Sequence, residues 1–133
     1  MPVTVKRLKG EPILVAQMTG YVTCQDVHHI YALSNQLITD ADKKVYRITD
    51  VRETDSSLAE MLECVQHPSQ KHMASTEDPR IQVVFIGINS WNQFFRNTMQ
   101  NRGIDIPIFM DMDTALQAVR LMIAKDKEMG LIH

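Results

Sequence analysis

Ser56 and Ser57 are the side chains best placed for chemistry that another protein could carry out on this chain. They lie in the run Val45-Tyr46-Arg47-Ile48-Thr49-Asp50-Val51-Arg52-Glu53-Thr54-Asp55-Ser56-Ser57-Leu58. The run reads as a buried strand over Val45 to Val51, an acidic, hydroxyl-rich turn, and the first turn of a helix. A hydroxyl at a helix start can accept a phosphoryl group, because free first-turn amides and the helix dipole stabilise the added charge. The same residues have a plain structural reading. Asp55 is the best helix cap, since its carboxylate can accept backbone amides of the following turn, and Asp50 supports the turn from the end of the strand.

Other residue groups are weighed against blander roles. Cys24, His28 and His29 form one group and Cys64, His67 and His72 another. On a helix Cys24 and His28 share a face, as metal ligands at that spacing do. No second pair with zinc spacing accompanies them, so the expectation is no metal and no cofactor. Phe85-Ile86-Gly87-Ile88-Asn89-Ser90 is a strand, glycine and cap at the carboxyl end of a central strand, the edge where open parallel sheets bind ligands. Gly87 and Asn89 are therefore candidate contacts for a ligand or partner. Trp91, Phe94 and Phe95 cannot all face inward; Trp91, at the helix start, is the one most open to exposure as a contact residue, and the plainer, favoured reading is a bulky side chain folded over the sheet edge. Phosphate-loop, dinucleotide and nucleophile-elbow fingerprints are missing, and no base, nucleophile and electrophile combine, so the chain reads as non-enzymatic.

Those residues need a scaffold. Val3 to Leu8 reads as an edge strand, and Gly10-Glu11-Pro12 turns it into a hairpin with Ile13 to Met18. Thr23, with Asp26 three residues later, makes a capping box for a helix that buries Val27, Ile30, Tyr31, Ser34, Leu37 and Ile38 and ends near Asp40. After the Val45 to Val51 strand, the second helix carries an apolar stripe of Leu58, Met61, Leu62 and Val65, and His67-Pro68 stops it. Ser69 to Arg80 is a polar loop. Ile81 to Ile86 is nearly all apolar, as a strand covered on both faces should be. A third helix, capped by Asn89 or Ser90, runs to Asn101-Arg102-Gly103. Ile104 to Phe109 is an edge strand containing Pro107. Asp111 or Asp113 caps a last helix with Leu116, Val119, Met122 and Ile123 inward. This order predicts a single α/β domain over residues 1–125. Its mixed, mostly parallel sheet has about five strands with four helices and an N-terminal β-hairpin. Residues 126–133 read as a flexible tail.

Composition narrows the partners. With 133 residues the chain is long enough for one well-formed core. Fourteen basic and sixteen acidic side chains leave a net charge of -2, which gives no electrostatic case for nucleic acid. No apolar run approaches the roughly 18 residues of a membrane span, and the start of the chain lacks a signal peptide's apolar core. Two cysteines are too few for a disulfide framework, so the expected location is the cytoplasm. Exposed strand edges and an exposed aromatic would suit a homodimer.

The element order, the acid Asp50 at a strand end and the turn Asp55-Ser56-Ser57 together resemble the STAS domain. That family includes bacterial anti-sigma factor antagonists and the cytoplasmic ends of sulfate transporters. In antagonist members one of two paired hydroxyls is phosphorylated by a partner kinase that is itself the anti-sigma factor. The resemblance implies Ser57 first and Ser56 second as the modified residue, and a kinase-like or anti-sigma-type protein as partner. Leu58 and Ala59 stand where the family shows Gly-Leu. The chain is also similar to a looser set of bacterial proteins with this fold and no assigned activity. Two readings follow. One is a non-enzymatic regulatory interaction module switched at the Asp55-Ser56-Ser57 turn. The other is a carrier or sensor for a small apolar, lipid-like ligand held between the sheet and the second and third helices by Met61, Phe94 and Met99.

Overall fold

Alternation of apolar and polar residues makes β1 (Val3–Arg7), and the turn at Gly10 returns the chain as β2 (Ile13–Tyr21), antiparallel to it. The computed structural model describes residues 3–66 and 75–132. From β2 onward the chain alternates α1 (Cys24–Leu37), β3 (Val45–Asp55), α2 (Leu58–Gln66), β4 (Ile81–Ile86), α3 (Ser90–Gln100), β5 (Ile108–Phe109) and α4 (Met112–Glu128). The five strands lie in sequence order, with β2 to β5 all parallel. Successive parallel strands added in one direction through right-handed crossovers put every crossover helix on the same face. The packing agrees. Val27, Ile30, Met61, Cys64, Phe95 and Met99 of α1 to α3 share one core with Ala16, Met18, Val51, Val83 and Phe85 of the sheet. The other face is covered by α4, whose Ala115, Val119 and Ile123 pack on Ile13, Tyr46, Ile48, Val84 and Ile86. The result is the expected single α/β domain with a mixed, mostly parallel five-stranded sheet and an N-terminal hairpin.

Thr23 caps α1 in a full capping box with Asp26, and Asn89 and Asp111 cap α3 and α4. Several boundaries differ from expectation. β2 and β3 extend to Tyr21 and Asp55, because their last residues still pair with each other beyond a register shift near Gln17. β5 shrinks to two residues, and α1 ends at Leu37 rather than near Asp40. In α2, Met61 and Cys64 are buried while Leu58 and Leu62 are exposed. The expected helix stop at His67-Pro68, His72, and the loop from Ser69 to Ala74 lie outside the described residues. Of the segment read as a tail, residues 126–132 are described. α4 runs on to Glu128, Asp126 accepts from Lys44 Nζ at 2.9 Å and from the Tyr46 hydroxyl, and Ile132 is buried against α4's side of the sheet. Apolar burial and two polar anchors hold this segment, which loop-like composition concealed.

Gly87 ends β4 with φ +97°, and a Cβ there would stand 2.8 Å from Arg52 Cγ and 3.2 Å from Arg52 Cα. Both the left-handed backbone and the approach of β3 require glycine. Gly87→Ala is expected to destabilise the domain by about 2 kcal/mol or more, read by urea denaturation. A midpoint indistinguishable from wild type would remove this account of the β3–β4 edge.

Candidate functional site

The carboxyl edge of the sheet is built around the part of β3 that outruns β4. The β3–β4 ladder stops at Asp50↔Ile86, whereas β3 continues beside β2 to Tyr21↔Asp55. This overrun leaves Thr54 facing the start of α3. The Thr54 hydroxyl donates to Val51 O at 2.7 Å and accepts from Trp91 Nε1 at 3.2 Å and Asn89 Nδ2 at 3.3 Å. Asn89 Oδ1 meanwhile accepts from Asn92 N at 3.0 Å, so one side chain caps α3 and ties it to β3. Asn92 Nδ2 donates to Gly87 O at 2.6 Å, fixing the turn between β4 and α3. Trp91 takes the plainer of its two readings. It is 6% exposed and meets Phe85 edge to face, with 6.2 Å between ring centroids.

The serines beside this knot have different jobs. Ser56 Oγ donates to Val22 O at 2.7 Å, and Val22 N donates to Asp55 O at 2.8 Å, which latches the turn to the segment before α1. Ser57 is the side chain at the start of α2: its Oγ accepts from Glu60 N at 3.1 Å and its carbonyl accepts from Met61 N at 3.2 Å. Asp55 is therefore not the α2 cap. It ends β3, and its carboxylate turns back to accept from Ser56 N at 2.9 Å. Glu60 Oε2 accepts from Cys24 N at 3.0 Å, so the first turns of α1 and α2 are tied together.

Asp50 opens on the other side of the sheet. It lines a surface groove of about 410 Å³ with Lys6, Gln17, Arg52 and Met112. Arg52 Nη2 and Nε clasp its carboxylate at 2.8 and 3.0 Å. Burial pushes the Asp50 carboxyl up, and the hydrogen bonds from Arg52 more than reverse this, holding it below its usual range.

Met61 and Met99 are fully buried in the core and Phe94 is half-buried against it. None of the cavities described, of about 30, 300 and 410 Å³, is lined by these three residues. One of them lies under the helices between Met18, Tyr31, Arg47, Phe85, Trp91 and Phe95, and its volume of about 30 Å³ suits a water or two. A lipid-like ligand has no room there. Arg47 is the residue that sequence reading passed over. It is 1% exposed, lies across the Tyr31 ring and donates to Ser34 Oγ at 3.1 Å. Burial pushes its guanidinium down to about 10, so it stays charged at neutral pH. A basic residue inside the apolar run Val45 to Ile48 was the available signal.

The Thr54 knot can be tested through Trp91, the sole tryptophan. Thr54→Val removes one acceptor from two donors, which should cost about 1–3 kcal/mol and shift Trp91 emission, while Thr54→Ser stays near wild type. A valine variant with wild-type stability would show that the knot contributes little.

No family model matches the chain, and no curated protein does. Solved structures do resemble it. A protein of the DUF3478 family with a SpoIIAA-like fold, from Shewanella loihica, superposes with a TM-score of 0.56 at 15% identity, over 86% of this chain and 90% of that one. An anti-sigma factor antagonist from Mycobacterium paratuberculosis superposes with a TM-score of 0.52, also at 15% identity, over 89% of this chain and 92% of that one. No helix among the described residues is long and apolar enough to cross a membrane. With the strand order and helix placement above, these likenesses identify the fold of this chain as SpoIIAA-like, that is, STAS-type.

Proposed function

We propose that this domain is a non-enzymatic regulatory module that binds a protein partner and is switched by phosphorylation of Ser57. The observation that carries the reading is the division of labour in the turn. Ser56 spends its hydroxyl proton on Val22 O, whereas the Ser57 hydroxyl acts as acceptor at the first turn of α2. A phosphate on Ser57 would replace a neutral cap with a charged one at the helix N-terminus, where amides and dipole favour an anion. It would also add charge beside Asp55, Glu53 and Glu60, a change that repels an acidic partner surface or recruits an arginine-bearing one.

Two further features support a recognition role. Leu58, directly after Ser57, is 60% exposed and gives a partner an apolar contact beside the switch. Leu62, one turn on, is also exposed. The likeness to an anti-sigma factor antagonist agrees with a protein partner. A nucleophilic role for the neighbouring thiol is disfavoured. Burial pushes Cys24 up, the Cys64 hydrogen bond opposes this, and Glu63 and Glu60 add to it, the wrong direction for a thiolate attacking group.

The test is intact-protein and peptide mass spectrometry on the chain isolated from its native cells, paired with comparative crosslinking of wild type and Ser57→Asp. Phosphate is expected on Ser57 and not on Ser56, and Ser57→Asp should weaken at least one crosslinked partner by about tenfold or more. Ser56→Ala should lower stability by about 1 kcal/mol and keep the partner profile. An unmodified Ser57 together with an unchanged profile in Ser57→Asp would sink the switch.

A further inference from the structure

Cys24, His28 and Cys64 fall into two separate groups along the chain, yet the fold brings them to one point. Cys24 opens α1, His28 follows one helical turn later, and Cys64 faces them from α2. Cys24 Sγ lies 3.4 Å from His28 Nε2, and the three donor atoms are all within 4.8 Å of one another. Both sulfurs belong to buried residues and the imidazole is half-buried. We propose that this cluster is a zinc site of the two-cysteine, one-histidine type, joining α1 to α2.

The donor set decides the class of ion. Thiolate and imidazole suit zinc, whereas calcium and magnesium want oxygen. Zinc holds sulfur at about 2.3 Å and imidazole nitrogen at about 2.0 Å. Tetrahedral angles then place the donors roughly 3.5–3.8 Å apart, so closure from the present spacing needs only side-chain adjustment. Three protein donors leave a fourth position for water. The charges also balance. Zinc displaces one proton from each thiol, and two thiolates, a neutral imidazole and the divalent ion sum to zero. A neutral complex is what a buried location tolerates.

The neighbourhood favours a cation. Glu60 sits with its carboxylate on the Cys24 amide, at the same helix start. The bound ion would staple the beginning of α1 to α2, adding to the Ser56 latch and the Glu60 bridge.

The experiment is titration of the reduced full-length chain with Co²⁺, followed by competition with Zn²⁺. Binding of one equivalent, with thiolate-to-cobalt charge transfer, tetrahedral ligand-field bands bleached by Zn²⁺ and release of two protons, is the expected result. Zinc should raise Tm. Cys64→Ser should weaken zinc binding by about 100-fold or more and His28→Gln by about tenfold or more. The half-exposed His28 makes the glutamine variant the safer one for folding, and circular dichroism verifies both. Reduced protein that takes up no Co²⁺, Co²⁺ bound without charge transfer, or a folded His28→Gln with wild-type zinc affinity would each overturn the assignment.

Discussion

Arg52 lies against Gly87 so closely that a Cβ would be 2.8 Å from its side chain, and this contact lets β3 slide past the end of β4. Beyond Asp50, β3 has lost β4 as a partner and is held on one edge by β2 and from above by α3. A strand end with one open edge needs other partners for its polar groups. Thr54 supplies them by taking two donors from α3 and returning its proton to Val51. The serine turn inherits its position from that arrangement.

The turn joins three elements that are distant in sequence. Ser56 reaches the segment before α1, Ser57 starts α2, and Glu60 touches the first amide of α1. A charge placed on Ser57 is therefore felt first at the α1–α2 contact, where Cys24 and Cys64 also meet. The proposed switch and the proposed cation site would share one region, because the right-handed crossovers put α1 and α2 side by side on the same face. The opposite face is tied down differently. There α4 relies on apolar packing and on Asp126 gripping Lys44 and Tyr46.

Much of the architecture was legible. Caps at Thr23, Asn89 and Asp111 are local hydrogen-bonding motifs, so adjacent residues suffice to reveal them. The apolar run Ile81 to Ile86 had to be a doubly covered strand. The errors and ambiguities share a cause. Asp55 looked like a cap because acids favour helix starts, but pairing with β2 kept it extended and passed the cap to Ser57. Trp91 admitted two readings because its helix has aromatics on several faces. Thr54, far off in sequence, offered its indole a partner and allowed burial. Asp126 and Ile132 looked loose because their partners lie on β3 and across the α4 face.

The sequence by itself determined the element order, the parallel sheet with its N-terminal hairpin, and the place of Asp55-Ser56-Ser57 between a strand and a helix. These depend on periodicity and short-range caps, which neighbouring residues carry. Only the tertiary structure decided that Ser56 is a latch while Ser57 caps α2, that the cavity beside Arg47 is water-sized, and that Cys64 joins Cys24 and His28. Each of those facts is a contact between elements many residues apart. Such contacts follow from crossover handedness and strand register, which no single stretch of sequence contains.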